Sequence, residues 1–593
     1  MEANLPTQIY RIITIMSNNT QHGWLRIDEV DSLFYNLHYS TASKNNTKAI
    51  ILIGPIGPEY MHCHRSIKCL ANNLAEKGFH TLRFDPIGMG NSTADLKSEL
   101  THEKWPTSLS ILKSFLIDEL NIDDVIFIAL RSGSLILSKY METTIVNYPV
   151  FWFPYINGKR FVRDILIIDN LLKLEENYTT DKGQPVIHGG GYPFTLSSQE
   201  YFKHINILES TFNNGIESLL IEDSETPPNS KFIDKLTTHF NTTKELSSGL
   251  SEMIQQAGFS VIPEKSFDII YNWLNATFQK SVDNISTDNI NTPLTTPAYN
   301  EKAIEIKLDN RMIMGIFTNP ENNAFSEILL LVNAGSAHHV GPNNLNVELA
   351  RQAAESNIAS FRFDLSNLGD SNYSADPEIN TPYPAIATED INSVISYINK
   401  NYSCNLILAG LCSGAHNMFH AILNSNEKNI TKLILINPLT FYWKPGQSIN
   451  APEENSTEID ETYYSNQILD IKKWLYLITN PVKVMNISMF LVKYFLSKIK
   501  SLINIPLTRF NLKNPSRLDS DLINVINMNI KISFLYSDGD PGYKILKADT
   551  PIVSNKYLNT ENFKVIKINN SDHTFSSIES RESLINSTLN CIR

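Results

Sequence analysis

Cys412 stands at the centre of Gly410-Leu411-Cys412-Ser413-Gly414, a G-x-nucleophile-x-G pattern. The apolar run Leu406-Ile407-Leu408-Ala409 precedes it, and a helix-like stretch from Ala415 to Leu423 follows. A strand, a tight turn and a helix form a nucleophile elbow, whose crowded turn requires small flanking residues. A thiol nucleophile needs a base within hydrogen-bond reach, and the base needs an orienting acid. In the elbow arrangement the acid follows a late strand and the histidine comes near the end. Asp540 follows the predicted strand Ile532–Tyr536 in a Gly-rich turn. His573 follows the last predicted strand and is the only histidine after His420. Asp538 is a second candidate acid, but it sits closer to the strand end. The expected triad is Cys412, His573 and Asp540. The backbone N–H of Ser413 supplies one oxyanion donor, and the second is expected from Ala334, Gly335 or Ser336, where Gly335 lets the backbone approach closely.

The chain carries a second elbow without a nucleophile. Ala129-Leu130-Arg131-Ser132-Gly133 follows Val125-Ile126-Phe127-Ile128 and precedes Leu135 to Met141. A guanidinium cannot attack an acyl carbon. The repeat extends further: Leu82-Arg83-Phe84-Asp85, then Gly88, Gly90 and Ser92, matches Phe361-Arg362-Phe363-Asp364, then Gly369 and Ser371. Ala49 to Gly57 likewise matches Ile328 to Gly335. A period of about 280 residues means duplicated domains, not a solenoid, whose repeats run about 20–50 residues. The first copy also lacks a base, since no histidine follows Phe259-Ser260-Val261-Ile262-Pro263 up to the linker. Arg131 has two readings: a ligand for an anion at the old pocket mouth, or a structural cation paired with a nearby acid, the latter favoured.

The elements that must position these residues alternate between apolar strand runs and amphipathic helix-length stretches. That pattern predicts an α/β fold with mainly parallel sheets covered on both faces. In the second half, strands are expected at Lys302–Leu308, Met312–Thr318, Ile328–Val332, Ala359–Asp364, Leu406–Ala409, Lys432–Ile436, Ile532–Tyr536 and Lys564–Ile568. Helices are expected at Asn346–Glu355, Ala387–Asn399 and Ala415–Asn424. The polar stretch Ser281 to Asn300, with Thr-Pro pairs at Thr292-Pro293 and Thr296-Pro297, reads as a linker. The expected organisation is a degenerate domain over 1–285, a linker over 286–300 and a catalytic domain over 301–593. An insertion at about 440–530, with apolar runs Trp474 to Leu477 and Met489 to Leu496, is expected to form a helical cap lining an acyl-chain tunnel. Duplication also makes an intramolecular pseudo-dimer the expected packing.

Composition narrows the function classes. The 593 residues are 42% hydrophobic and 19% charged, an ordinary globular balance. A net charge of -12 disfavours nucleic acid as main partner, since phosphate binding needs a basic surface. Five scattered cysteines make no disulfide framework. A free thiol nucleophile suits a reducing cytoplasm. No signal-peptide pattern and no apolar run of about 18 residues is seen, so no transmembrane segment and a cytoplasmic location are expected. His62-Cys63-His64 cannot easily aim three adjacent ligands at one ion, so no metal is expected, nor any cofactor.

Several motifs together resemble a known family. Asn333-Ala334-Gly335-Ser336-Ala337-His338-His339-Val340-Gly341-Pro342-Asn343 resembles the NAG-x-x-H-R-V-G-P-N signature of bacterial α/β-hydrolases related to serine aminopeptidases and exosortase-associated hydrolases. Arg362-Phe363-Asp364-Leu365-Ser366, the Cys412 elbow, Asp538-Gly539-Asp540-Pro541-Gly542 and Asp572-His573-Thr574-Phe575 add to that resemblance. His339 stands where the pattern has Arg. The first half resembles a sister group through Gly57-Pro58-Glu59-Tyr60, His64-Arg65, Arg83-Phe84-Asp85 and Trp152-Phe153-Pro154. The resemblance implies an α/β-hydrolase fold and a role in specialised lipid, polyketide or peptide metabolism. A thioester is more reactive toward amines and thiols, relative to water, than an oxyester is. The expectation is therefore acyl transfer or thioesterase-like chemistry on Cys412, with an acyl-thioester donor as partner, acyl carrier protein among the candidates. The alternatives are an ester or lactone hydrolase and a largely non-catalytic scaffold.

Overall fold

The central strands of each half are apolar on both faces because each lies between two layers of helices. Alternate residues of one strand therefore enter different cores. In the first half Ile51, Phe127 and Ala129 pack with Leu109, Leu112 and Leu135. Their neighbours Ile50, Ile126 and Ile128 pack on the other face with Leu70, Leu74 and Ile270. In the second half Leu330 and Leu408 join Ile391 and Phe419, whereas Leu329 and Ile407 join Leu349 and Leu584.

The computed structural model describes residues 20–40, 48–98, 101–172, 179, 185–278, 292–373, 380–444, 515–558 and 560–593. The first sheet holds β1 (Thr20–Arg26), β2 (Ser32–His38), β3 (Lys48–Ile53), β4 (Thr81–Phe84), β5 (Asp124–Leu130), β6 (Pro149–Trp152), β9 (Glu217–Asp223) and β10 (Asn241–Ser247); β7 (Val186–Gly189) and β8 (Tyr192–Thr195) form a separate hairpin. Its order is β1-β2-β4-β3-β5-β6-β9-β10. The second sheet is built from β11 (Leu294–Thr295), β12 (Tyr299–Leu308), β13 (Arg311–Pro320), β14 (Glu327–Val332), β15 (Ala359–Phe363), β16 (Asn372–Tyr373), β17 (Asn405–Leu411), β18 (Ile430–Ile436), β19 (Lys531–Ser537) and β20 (Phe563–Ile568). Its order is β11-β12-β13-β15-β14-β17-β18-β19-β20, with β16 on β13. Both sheets open with antiparallel strands, exchange the next two, and continue in parallel. This is an α/β-hydrolase fold with mainly parallel sheets. All eight strands expected in the second half are present, as are the three helices, at Leu345–Glu355, Ala387–Asn401 and Ser413–Leu423. Among the described residues no helix is long and apolar enough to cross a membrane.

The two halves meet through equivalent residues. Arg83 donates to Asp370 Oδ1 at 2.5 Å, and Arg362 donates to Asn91 Oδ1 at 3.1 Å. Asp370 and Asn91 are themselves counterparts: their backbone N–H groups bond Asp364 Oδ2 at 2.9 Å and Asp85 Oδ2 at 2.8 Å. Tyr60 donates to Asp85 at 2.8 Å, while His339 Nδ1 meets Asp364 at 2.7 Å. So the His339 of the motif serves the contact between halves, bonding Asn91 through Nε2 at 3.1 Å. An apolar seam of Trp24, Phe34, Ala303, Met312 and Met314 lies beside this network.

Glu301 anchors the charges on the second side. It is fully buried, accepts from Arg351 at 2.8 Å and Arg362 at 2.9 Å, and Arg351 continues to the Asn91 and Ser92 carbonyls. Burial alone would raise its pKa, but the two guanidiniums reverse that and hold it at about 2. The stability this contributes is present above the ordinary carboxylate range and lost as pH falls toward the native value. Glu301→Gln should lower stability by about 3–5 kcal/mol, because it leaves buried guanidinium charge uncompensated. Urea unfolding should also show the wild-type protein losing more stability than the variant between about pH 4 and pH 2.

Candidate active site

Each predicted site residue lies at the carboxyl end of the second sheet, where parallel α/β folds gather their chemistry. Cys412 follows β17 with φ 55° and ψ -114°, the strained backbone of an elbow. Its N–H donates to the Ile436 carbonyl of β18 at 2.9 Å. The small flanking residues are required by contact. A Cβ on Gly410 would lie 2.3 Å from the Gly414 carbonyl carbon, and one on Gly414 would lie 2.5 Å from the Asn333 oxygen.

His573 sits in the loop after β20, and its Nδ1 meets Asp540 Oδ2 at 2.6 Å. Asp540 can orient it because its other oxygen is committed elsewhere. Asp540 caps the helix Pro541–Asp549 through Oδ1, which accepts from Gly542 N–H at 2.8 Å. Asp538, the competing candidate, is exposed and lies off the histidine pair. Nε2 of His573 is buried without a hydrogen-bond partner among the described residues, and it faces the Cys412 thiol. Burial works against the imidazolium, but the Asp540 hydrogen bond, followed by the Cys412 thiol, overrides it and pushes His573 up to about 10. The cation is thus favoured through neutral pH and lost only as pH rises through that value.

The oxyanion candidates are not equivalent. Ser413 begins the helix Ser413–Leu423, so its N–H has no intrahelical acceptor. Gly335 N–H donates to Ser413 Oγ at 2.8 Å and is therefore engaged. The candidates for the second donor reduce to Ala334 and Ser336. The reason for glycine at 335 also differs from the expected close approach. A Cβ there meets nothing within 4 Å, whereas φ is 60°, a conformation glycine adopts without cost.

Two residues enter the site that sequence reasoning missed. The Tyr383 hydroxyl hydrogen-bonds Cys412; burial, then the Cys412 charge, hold the phenol well above its usual range, so it remains a donor. Tyr383 is itself fixed by stacking on Trp443 at 4.3 Å and by edge contact with His416 at 5.0 Å. Asn437, with φ 44°, donates to the His573 carbonyl at 2.8 Å and to Ser537 Oγ at 3.1 Å. Neither has a motif of its own, although Asn437-Pro438 directly after a strand is a turn signal.

The first half keeps the backbone geometry of the elbow, with Arg131 at its apex. Arg131 adopts φ 53°, and its N–H bonds the Trp152 carbonyl at 3.0 Å. Ile56 N–H donates to Ser132 Oγ at 3.0 Å, as Gly335 does to Ser413. Arg131 pairs with Glu59 at 2.9 Å and donates to Tyr155 at 2.9 Å, which matches the reading as a structural cation. Beside Ile56 and Gly57 lies a cavity of about 10 Å³, bounded by Met89, Trp105, Tyr192 and Phe194. That volume is no more than one water requires. The expected cap, including Trp474 to Leu477 and Met489 to Leu496, lies outside the described residues except at its ends.

Similar solved structures include a dienelactone hydrolase from Anabaena variabilis, 8% identical with a TM-score of 0.31, covering 50% of this chain and 97% of that one. Est1E from Butyrivibrio proteoclasticus is 14% identical with a TM-score of 0.29, covering 49% and 98%. The alpha/beta hydrolase domain-containing protein 10 from mouse is 12% identical with a TM-score of 0.29, also covering 49% and 98%. No protein-family model matches the chain, and no curated protein sequence matches it.

Proposed function

We propose that this chain is an acyl-transfer enzyme that carries its acyl group as a thioester on Cys412, with the second half catalytic and the first half a degenerate domain packed against it as a pseudo-dimer. The observation that carries the reading is the alignment of an elbow thiol, an otherwise unpartnered His573 Nε2 and an Asp540 oxygen 2.6 Å from Nδ1. The thiolate is the attacking form of cysteine, and a facing imidazolium supports it.

In this mechanism the Cys412 thiolate attacks the carbonyl carbon of an acyl-thioester donor, acyl carrier protein being one candidate source. The tetrahedral oxyanion is met by Ser413 N–H and by a donor at Ala334 or Ser336, each such donor being worth roughly 3–4 kcal/mol in comparable sites. The intermediate collapses, the C–S bond to the donor breaks, and His573 gives its proton to the leaving thiolate. Neutral His573 then takes a proton from an amine, hydroxyl or thiol acceptor. The acceptor attacks the acyl-cysteine and expels the Cys412 thiolate beside the reformed imidazolium. The thioester favours amine and thiol acceptors over water, which supports transfer above hydrolysis.

Intact-protein mass spectrometry with a short acyl-thioester donor should show one added acyl group, absent in Cys412→Ala, whose turnover should vanish. Hydrolysis that outruns transfer to every acceptor tested would replace this reading with an ester or lactone hydrolase. Iodoacetamide should label Cys412 ahead of Cys404. At pH 7 labelling of Cys412 should slow roughly tenfold in His573→Ala, because the facing imidazole that supports the thiolate is lost. Arg131→Ala should leave acylation of Cys412 within about twofold of wild type, since no reacting atom lies at that elbow; an acyl adduct mapped to the first half would contradict the assignment.

A further inference from the structure

We propose that the first half is a brace for the second half's chemistry, positioning its oxyanion loop through Ala257 and its histidine loop through Gly191. The inference rests on the reading of Cys412 as the acyl carrier.

On the oxyanion side, Ser336 Oγ donates to the Asn380 carbonyl at 2.9 Å, and Asn380 Nδ2 donates to the Ala257 carbonyl at 2.7 Å. Ala257 belongs to the first half, in the loop that follows β10. The adjacent Gly258 is close enough that a Cβ would stand 3.6 Å from Ser336 Oγ. This loop occupies the place in its own half that the His573 loop occupies after β20. Having no base to carry, it reaches across and ends against the neighbouring oxyanion loop. Its own seat is firm: Ile254 O accepts from His62 at 2.9 Å, and Ser260 O accepts from Arg65 at 3.3 Å.

On the base side the agent is Arg581, only 1% exposed. Its Nη1 donates to the carbonyls of Phe575 at 3.4 Å and Ser576 at 3.2 Å, immediately beyond His573, and to Gly191 O at 3.2 Å. Gly191 lies at the tip of the β7–β8 hairpin of the first half. Arg581 Nε donates to Glu348 at 3.3 Å. A buried guanidinium must have its donors satisfied, so the hairpin carbonyl and the histidine-loop carbonyls share one rigid fork. Asn343 adds a second tie, donating to the Thr574 carbonyl at 3.5 Å. The Asn343 side chain lies directly over Gly191, where a Cβ would come within 2.1 Å of its oxygen. The hairpin thus fits at this spot only with glycine, at φ 95°.

Both ties reach loops rather than reacting atoms, so they act through position. A misplacement of about 1 Å in such a site can cost on the order of 100-fold in rate. Two variants separate the ties. Asn380 holds φ 68°, so Asn380→Gly removes the amide while keeping the backbone relaxed. Gly191→Ala unseats the hairpin by collision. The readouts on the full chain are S-acylation of Cys412 by 4-nitrophenyl butyrate with release of 4-nitrophenolate, kcat and KM separated, alkylation by iodoacetamide at pH 6.5, and the thermal unfolding midpoint. Asn380→Gly should lower kcat roughly 10- to 100-fold with KM within about twofold. Its alkylation should not change, because displacement at a saturated carbon builds no oxyanion. Gly191→Ala should slow both acylation and alkylation by roughly tenfold, because the histidine moves with its loop. Wild-type kcat in both variants, while the wild type itself is acylated, would overturn the brace and leave Cys412 as nucleophile. A kcat loss in Asn380→Gly that appears only with a lowered unfolding midpoint and slowed alkylation would also overturn it, as plain destabilisation. A wild type that is never acylated overturns the Cys412 reading and the brace with it.

Discussion

The structure depends on a buried exchange of charge and amide groups between its halves. Arg83 crosses to Asp370 and Arg362 crosses to Asn91, so each half supplies one guanidinium and one acceptor. Neither arginine can be left unpaired, because a dry cation without acceptors costs several kcal/mol. The acceptors cannot move either, since Asp364 and Asp85 hold them by their own N–H groups. Separation of the halves would therefore expose or strand four coupled groups at once. A contact so constrained carries position from one half to the other, which a looser apolar interface would not.

That rigidity bears on the elbow of the first half. The elbow at Arg131 keeps its positive φ and its hydrogen bonds, and the guanidinium is absorbed by Glu59 and Tyr155. The small cavity beside Ile56 and Gly57 is bounded in part by Trp105, Tyr192 and Phe194. The Gly191 hairpin and the Ala257 loop of this half both touch the other half.

The arrangement around His573 illustrates how one carboxylate performs two tasks without compromise. Asp540 caps a helix with one oxygen and orients the imidazole with the other. The cap restrains the side chain's rotamer, so less entropy is lost in forming the pair with His573. Asn437 then holds the histidine's own carbonyl from a third strand end. The base is thus located by β18, β19 and β20 together, and the Asp540 hydrogen bond holds its proton against the burial.

The amino-acid sequence by itself determined the α/β fold, the strands of the second half and the duplicated elbows. These are local signals: apolar runs of strand length, glycines where a Cβ would collide, and landmarks repeated in register. It also singled out Cys412, Asp540 and His573 as the group the fold would gather, because their order along the chain follows the order of strands in the sheet. Only the tertiary structure decided the rest. The Gly335 N–H is taken by Ser413, and Tyr383 reaches the thiol from a loop with no motif. His339 bonds across to Asn91 in the contact between halves. Arg581 and Asn380 join loops about 390 and 123 residues distant. Such contacts depend on where two separately folded surfaces come to rest, and no periodicity along the chain records the distance between them.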